Sequence, residues 1–364
     1  MESLTHMHGG DLDAIERAFG ISKNEISDFS GNINPLGFPK RAANKLAENI
    51  AMVCQYPDKN YCALRESIGK YTGANPKNIV VGNGSTELIS TFIKSVNAKK
   101  TIIMGPAYSE YENAVKVIGS DYEYFELKES EDFKLNTDRL LTVLNGKVGL
   151  FIACNPNNPT GTGISIQNME KILIHCKKRG INVMVDETYI EFSDNLENIC
   201  SIPLAEKYDN IFIIRGISKF FAAPGLRLGY GITSNKRFHE LLAENQDPWS
   251  VNILASYAGE QIFTDTDFIN ETKLLISSER KRLFDEISSW KNVKIYKSAS
   301  NFMLIKLLSS KINASEIFEY MINKKMVIRD ASSFTFLDES FLRFCILSPD
   351  ENTNFLAELK SIIE

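Results

Sequence analysis

The sequence predicts an α/β protein in which helices cover a large, mostly parallel sheet and a smaller α+β domain follows. Short apolar runs such as NIVVGNG, KTIIMGP and INVMVDETY alternate with helical patterns between about residues 45 and 245. Strands that are apolar throughout are typical of parallel sheets with helices on both faces. After QDPWSVN the pattern changes to a long helix followed by strands, a helix and more strands.

Four segments follow from this pattern along the 364-residue chain. Residues 1–44 contain the turn-rich stretch DFSGNINPLGFP, and we expect them to pack on the small domain. Residues 45–245 form the large domain that binds the ligand. Residues 246–290 connect the domains through one helical pattern from about Ile253 to Trp290, and residues 291–364 form the small C-terminal domain.

Composition excludes several classes of function. Lys and Arg number 41 against 46 Asp and Glu, a net charge of -5, which argues against a nucleic-acid-binding face. No apolar run approaches the roughly 20 residues of a membrane span, and the N-terminus lacks a signal-peptide layout. The six cysteines form no C-x-x-C pair, which favours reduced thiols in a cytoplasmic enzyme. The four histidines form no helical i, i+4 pair, so no metal site is expected.

Polar residues and glycines cluster where the predicted strands end, which is where open α/β sheets bind ligands. The clusters are Gly82–Ser85, Pro106–Tyr108, Asn155–Gly161, Asp186–Tyr189 and Ser218–Lys219. The first cluster, within GNGSTE, can form a phosphate cradle at a helix N-terminus. An ordinary capped helix start with Glu87 nearby explains the same residues.

Asp186 ends an all-apolar strand, where a carboxylate needs a partner. That partner is either a structural Arg or Lys, or the cationic ring nitrogen of a ligand. Tyr189, three residues further on, could donate a hydrogen bond to the same ligand. Asn158 could do likewise, although Asn-Pro and Thr-Gly in NPNNPTG also serve as turn formers.

Lys219 follows another apolar strand and is flanked by Phe220 and Phe221, which we expect to line its pocket. Desolvation there lowers the pKa of the ammonium, and a neutral lysine amine forms Schiff bases with carbonyl compounds. Ser218 and Arg227 then become candidate phosphate ligands. The alternative is a solvated surface lysine, the commonest environment of this residue type.

Together these groups specify pyridoxal 5′-phosphate (PLP). They supply a phosphate cradle, an acid for a ring nitrogen, donors for a ring hydroxyl and a Schiff-base lysine. Tyr108 adds an aromatic ring that could stack on the cofactor. The sequence therefore predicts a PLP enzyme.

The motifs NPNNPTG, DETY, SKFFAAPGLRLGYG and FLRF resemble, in this order, those of the class I and II aminotransferases, which are fold-type-I PLP enzymes. The resemblance implies the PLP-dependent transferase fold, with a large three-layer α/β domain. It assigns Lys219 to the Schiff base, Asp186 to the ring nitrogen, Asn158 and Tyr189 to the ring hydroxyl, and Tyr108 to the ring face. The phosphate-binding residues that it implies are Gly84, Ser85, Thr86, Ser218 and Arg227.

The same resemblance implies a homodimer with shared active sites. Tyr56 in QYPD is similar to the tyrosine that reaches the phosphate in the neighbouring subunit. Arg343 in FLRF is similar to the arginine that binds the substrate α-carboxylate through two parallel hydrogen bonds.

Within the family, MHGGD, DFSGNINPLGFP and VIRDASSF are most similar to the branch of threonine-phosphate decarboxylases and histidinol-phosphate aminotransferases. This implies that His8, Asn32 and Arg329 approach the substrate, and that Arg329 and His8 bind its phosphate. A disordered terminus explains His8 equally, and a surface salt bridge is the alternative for Arg329. Ala331 departs from the pattern, since the decarboxylases usually carry Cys there.

Three functions remain open at this point. The favoured one is decarboxylation of L-threonine O-3-phosphate. The alternative is transamination of histidinol phosphate, or of a related amine, with 2-oxoglutarate. A catalytically silent PLP-binding sensor ranks below both, because such regulators usually carry a fused DNA-binding head, whereas this chain is acidic and enters the fold within about 30 residues.

Overall fold

A computed structural model describes residues 9–364. The strands are β1 (Ser27–Asp28), β2 (Ile79–Gly82), β3 (Lys100–Gly105), β4 (Asp121–Glu126), β5 (Leu150–Cys154), β6 (Asn182–Asp186), β7 (Ile211–Gly216), β8 (Gly229–Ile232), β9 (Val293–Ile295), β10 (Phe302–Leu307), β11 (Met326–Val327), β12 (Arg329–Asp330) and β13 (Phe341–Cys345). The helices are α1 (Leu12–Phe19), α2 (Lys40–Glu48), α3 (Cys62–Thr72), α4 (Ser85–Val96), α5 (Ser109–Val117), α6 (Thr137–Val143), α7 (Ile166–Lys177), α8 (Leu196–Ile199), α9 (Ile202–Ala205), α10 (Lys236–Asn245), α11 (Ile253–Ile262), α12 (Thr266–Ser288), α13 (Ala314–Asn323) and α14 (Pro349–Ile363).

A seven-stranded sheet with the order β2-β8-β7-β6-β5-β3-β4 forms the centre of the molecule. The neighbours from β7 to β4 pair in parallel, whereas β8 runs antiparallel to both β2 and β7. Parallel neighbours require crossover connections, and helices between consecutive strands supply them. The predicted mostly parallel α/β layer is confirmed.

Alternate residues of the central strands face two different cores, because side chains of a strand point to opposite faces of the sheet. On β7, Phe212 and Ile214 pack in one core with apolar residues of α4, α5 and α10. Ile211 and Ile213 belong to the other core, which includes residues of α7. Coverage on both faces explains why β5, β6 and β7 are apolar along nearly their whole length.

A four-stranded antiparallel sheet with the order β12-β13-β10-β9 forms the smaller part of the molecule. The N-terminal segment contacts it, since β1 pairs in parallel with β11 and Ile15 of α1 packs with Ile322 and Val327. The same segment also contacts the large layer, because the Asn34 backbone N–H donates to the carbonyl of Lys219.

The connecting segment contains two helices, where the sequence pattern suggested one. Helix α11 ends at Ile262 and α12 begins at Thr266. The carboxylate of Asp265 caps the second helix by accepting a hydrogen bond from the Phe268 backbone N–H. An N-cap aspartate favours a new helix start, and periodicity alone did not reveal this short interruption.

The polar clusters predicted from the sequence lie at one edge of the central sheet. Strands β3, β5, β6 and β7 end at Gly105, Cys154, Asp186 and Gly216, and the clusters follow directly. Among residues 9–364, no helix is long and apolar enough to cross a membrane.

Candidate active site

A cavity of about 490 Å³ opens at the carboxyl ends of the central strands. It brings together thirteen of the residues predicted from the sequence: Asn32, Gly84, Ser85, Thr86, Tyr108, Asn158, Asp186, Tyr189, Ser218, Lys219, Arg227, Arg329 and Arg343. Two predicted residues are not part of this lining. Tyr56 lies on the surface, and His8 lies outside the described residues.

Lys219 lies at the turn after β7, with its Nζ donating a hydrogen bond to the Gly31 carbonyl over 2.7 Å. Burial lowers the pKa of its ammonium to about 8, and the positive charge of Arg343 acts in the same direction. Phe220 and Phe221 do not line the cavity, contrary to the sequence-based expectation; both are buried in the core below the turn. They therefore anchor the lysine, while burial of the amine itself and Arg343 lower its pKa.

The residues predicted to form a phosphate cradle lie at the start of α4. Gly84 is the N-cap, has a φ of +85° and provides no capping side chain, so the first N–H groups of the helix lack an internal partner. A Cβ at Gly84 would lie 2.5 Å from Nη2 of Arg227, so a side chain there would displace that guanidinium, and the positive φ favours glycine at this position. The carboxylate of Glu87 accepts from the Asn83 N–H instead of capping α4.

Asp186 is buried at the end of β6, where three donors hold its carboxylate. Its Oδ1 accepts from the Thr188 N–H over 2.9 Å and from the Thr188 hydroxyl over 2.5 Å. Its Oδ2 accepts from the Tyr111 hydroxyl over 2.7 Å. Burial raises the pKa of the carboxyl, and these hydrogen bonds oppose the rise.

The structural Arg or Lys considered as a partner of Asp186 does not pair with it among residues 9–364. The arginine on the neighbouring strand, Arg215, pairs with Glu187 instead. Sequence analysis did not identify Thr188 and Tyr111 as site residues. The DETY motif, which contains Thr188, could have indicated that residue. The spacing of one helical turn from Tyr108 could have indicated Tyr111.

Asn32, Tyr189 and Asn158 bring further polar groups to the cavity lining. The Asn32 amide donates to the Tyr189 hydroxyl over 3.3 Å, and the Asn32 Oδ1 has no hydrogen-bond partner among the described residues. Burial raises the pKa of the Tyr189 phenol, so the hydroxyl stays protonated. Asn158 accepts from Nη1 of Arg343 over 2.6 Å.

Two arginines face the same cavity. Arg343 is 5% exposed, and no salt bridge within residues 9–364 involves it. Its Nη2 donates to the Ser30 carbonyl over 2.5 Å, and its Nε has no hydrogen-bond partner in that range. Burial lowers the pKa of its guanidinium. Arg329 donates to Ser333 over 2.6 Å, and burial lowers its pKa to about 10, with Arg343 adding repulsion.

The two tyrosines expected at the ring face and at the phosphate of the cofactor, Tyr108 and Tyr56, lie in different parts of the chain's structure. Tyr108 lines the cavity and meets Tyr111 edge-on, with ring centroids 5.7 Å apart and an interplanar angle of 88°. Tyr56 is 80% exposed, and its ring centroid lies 4.9 Å from that of Trp249, itself 44% exposed.

The arrangement fits the cofactor expected from the sequence. Helix N–H groups and Arg227 suit a phosphate, and the buried carboxylate of Asp186 without a basic partner suits a cationic ring nitrogen. The amine of Lys219 has a pKa that leaves a substantial neutral fraction near physiological pH. Such an amine can attack an aldehyde.

Comparisons with known proteins agree with this chemistry. The family model for class I and II aminotransferases matches residues 18–359. The chain is 30% identical to a threonine-phosphate decarboxylase of Salmonella typhimurium, over 100% of this chain and 98% of that protein. It is also 30% identical to a histidinol-phosphate aminotransferase of Methanosphaera stadtmanae, over 100% and 97% of the two chains.

Among solved structures, the histidinol-phosphate aminotransferase from Clostridium acetobutylicum superposes with a TM-score of 0.86. It is 34% identical to this chain, and the match covers 92% of this chain and 98% of the other.

Proposed function

The chain belongs to the class I and II aminotransferase family, and on that premise we propose that it decarboxylates L-threonine O-3-phosphate. The product would be an aminopropanol phosphate. Enzymes of this family depend on PLP, and this chain is a PLP-dependent enzyme. When bound, PLP supplies an aldehyde that takes up the substrate amine and a cationic ring that accepts electrons from the substrate α-carbon.

Residues of the cavity would hold the cofactor by complementary charge. Asp186 would accept from the ring nitrogen, and Tyr108 would cover the ring face. Asn158 and Tyr189 would contact the ring hydroxyl. The phosphate would lie on the start of α4 and on the following side chains: Ser85, Thr86, Ser218 and Arg227.

Lys219 would act first as the nucleophile that holds the cofactor and then as the acid or base at the α-carbon. Burial keeps its pKa near 8, so both protonation states are accessible at physiological pH. A general acid or base is most effective when its pKa lies near the working pH. In decarboxylation the bond between the α-carbon and the carboxylate breaks, CO2 leaves, and Lys219 returns a proton to that carbon.

The observation that carries the choice of substrate is the pair of arginines, Arg329 and Arg343, in one cavity. Burial lowers the pKa of both guanidinium groups, so each gains from an anionic partner. L-Threonine O-3-phosphate carries two anionic groups: Arg343 would bind the carboxylate, and Arg329 would bind the phosphate. Asn32, whose Oδ1 has no partner among the described residues, would contact the substrate between them.

Transamination is the second candidate, and one observation favours it. Residue 331 is a fully buried alanine, whereas the resembling decarboxylases usually carry Cys there. In one half-reaction of transamination, the two arginines would bind the carboxylates of glutamate and 2-oxoglutarate. In the other half-reaction they would bind the phosphate of histidinol phosphate. The two arginines would select the reaction by fixing the orientation of the substrate's anionic groups in the cavity.

The enzyme would work as a homodimer with shared active sites. Ile50, Val53, Tyr56 and Trp249 are between 44% and 80% exposed, an apolar surface that a second copy would cover. Tyr56 would then reach the cofactor phosphate in the partner subunit. All six cysteines are unpaired thiols, which supports a place in the reducing cytoplasm.

A substrate comparison separates the two reactions. We expect the purified PLP-loaded enzyme to release CO2 from L-threonine O-3-phosphate without a keto acid and to form an aminopropanol phosphate. Histidinol phosphate with 2-oxoglutarate should then yield little glutamate. Glutamate formation in the second assay, with no CO2 in the first, would exclude the decarboxylase and support the aminotransferase.

A further inference from the structure

We propose that Tyr111 and Thr188 are positioning residues that leave the Asp186 carboxylate a single free acceptor site, on Oδ2, for the ring nitrogen of the cofactor. This inference rests on the proposed function, because it assumes that PLP occupies the cavity. It adds to the site two residues that make no assumed contact with cofactor or substrate and act through Asp186.

The geometry of the carboxylate supports this inference. An ionised carboxylate offers about four lone-pair positions, two on each oxygen. The Thr188 N–H and hydroxyl take both positions on Oδ1, at 2.9 and 2.5 Å. The Tyr111 hydroxyl takes one position on Oδ2, at 2.7 Å. Three donors on two oxygens also prevent rotation of the carboxylate, so the remaining position is fixed in space.

Both positioning residues are themselves held rigidly. Tyr111 is 1% exposed and packs in the core between the central sheet and α4. Thr188 lies two residues after Asp186 and is also buried, so its backbone N–H is fixed by the turn that follows β6. All three residues line the cavity, which places the hydrogen-bonded group in its wall.

The charge of Asp186 depends on these donors. Burial raises the pKa of the carboxyl, and the hydrogen bonds from Thr188 and Tyr111 counter that rise. No lysine or arginine of residues 9–364 forms a salt bridge with it, so neutral donors replace the usual cation. Burial also raises the pKa of the Tyr111 phenol, and the nearby Asp186 raises it further, so Tyr111 remains a donor at any working pH.

The consequence is a prediction about the protonation of the cofactor ring. The donors favour the ionised form of Asp186, and that form stabilises the protonated ring nitrogen. Tyr111→Phe keeps the packed ring and removes only the hydroxyl. Thr188→Val keeps the backbone N–H bond and removes only the side-chain donor. A purely structural role for either residue would leave ring protonation unchanged.

The test is the ¹⁵N chemical shift of the ring nitrogen in holoenzyme reconstituted with ¹⁵N-labelled PLP, together with the PLP dissociation constant. We expect Tyr111→Phe to move the signal toward the unprotonated pyridine and to weaken PLP binding about tenfold, since one hydrogen bond to a charged group is lost. Thr188→Val should move both readouts in the same direction. The matched control is Tyr122→Phe, which removes a 2.8 Å hydrogen bond to Glu112 away from the cavity and should change neither.

A ring-nitrogen signal equal to that of the wild type in both variants would overturn the inference. If Tyr111→Phe does not fold, as judged by circular dichroism, an unchanged signal in Thr188→Val overturns it. Failure of the proposed decarboxylation looks different, because it shows in the CO2 and glutamate assays of the wild-type enzyme and leaves the comparison of ring-nitrogen signals unaffected.

Discussion

At the scale of single residues, the cavity combines ionisable groups whose charged forms are disfavoured by burial. Lys219 has a lowered pKa near 8, and burial also lowers the pKa of Arg329 and Arg343. Burial raises the pKa of Asp186. A ligand of opposite charge stabilises the charged form of each group, and this stabilisation contributes to the affinity for the ligand.

The assignment of Arg329 to the substrate phosphate predicts a selective loss. We expect Arg329→Ala to lower kcat/KM for L-threonine O-3-phosphate by about 10- to 100-fold, because charge-assisted hydrogen bonds to the phosphate are lost. Slow turnover of L-threonine, which has no phosphate, should hardly change. Steady-state kinetics with both substrates check this, with Arg237→Ala on the exposed face of α10 as a control. Equal losses with both substrates would contradict the assignment.

At the scale of elements, strands β6 and β7 are joined by a buried ionic group, which we name the β6–β7 brace: Glu187, Glu191 and Arg215. Arg215 lies 2.8 Å from Glu187 and 3.9 Å from Glu191, and all three residues are under 5% exposed. The Glu191 Oε2 has no hydrogen-bond partner among residues 9–364. One arginine thus faces two carboxylates, and burial raises the pKa of Glu191 to about 7.

This brace predicts a pH dependence of stability. Between its unfolded pKa of 4.5 and its folded pKa of about 7, Glu191 binds a proton in the folded protein and releases it on unfolding. Stability therefore falls as pH rises through this window and stays reduced above it. Glu191→Gln removes this titration. The free energy of unfolding of the variant, minus that of the wild type, should therefore be about 2 kcal/mol larger at pH 8 than at pH 5.

Urea unfolding of the holoenzyme at the two pH values measures this difference. Glu197→Gln, at an exposed position of the same segment, is the control and should follow the wild type. If the difference in free energy of unfolding between Glu191→Gln and the wild type is the same at both pH values, Glu191 is already ionised in the folded protein and the prediction is wrong.

Some of these elements could be predicted from the sequence, and others could not. The parallel sheet and the loops at its carboxyl end could be predicted because apolar strands and polar turns leave strong local patterns. The break between α11 and α12 was missed, since a cap aspartate inside a helical pattern is a weak signal. The core position of Phe220 and Phe221 and the hydrogen bond from Tyr111 to Asp186 depend on tertiary packing, which no local pattern records.

At the scale of the whole molecule, the exposed aromatic pair of Tyr56 and Trp249 is the feature that a single chain leaves unexplained. Tyr56 is 80% exposed and absent from the cavity lining of its own chain. In the homodimer proposed above, twofold symmetry would bury this surface on both chains, and our proposal is that each Tyr56 then reaches the other chain's cavity.

Shared sites predict complementation between two defective chains. Tyr56→Ala and Lys219→Ala chains should each be nearly inactive at limiting PLP. After mixed refolding, half of the dimers are hybrids in which one of two sites is intact, so about a quarter of wild-type activity should return. Activity of the mixture equal to the sum of the separate variants would place Tyr56 outside the partner's site.

The most direct test of the account is covalent: reduction of the PLP-loaded protein with borohydride, followed by peptide mass spectrometry. We predict a pyridoxyl group on the peptide that contains Lys219, and no such adduct in the Lys219→Ala protein. An adduct on a different lysine of the wild-type protein, or none at all, would contradict the central claim that Lys219 holds the cofactor.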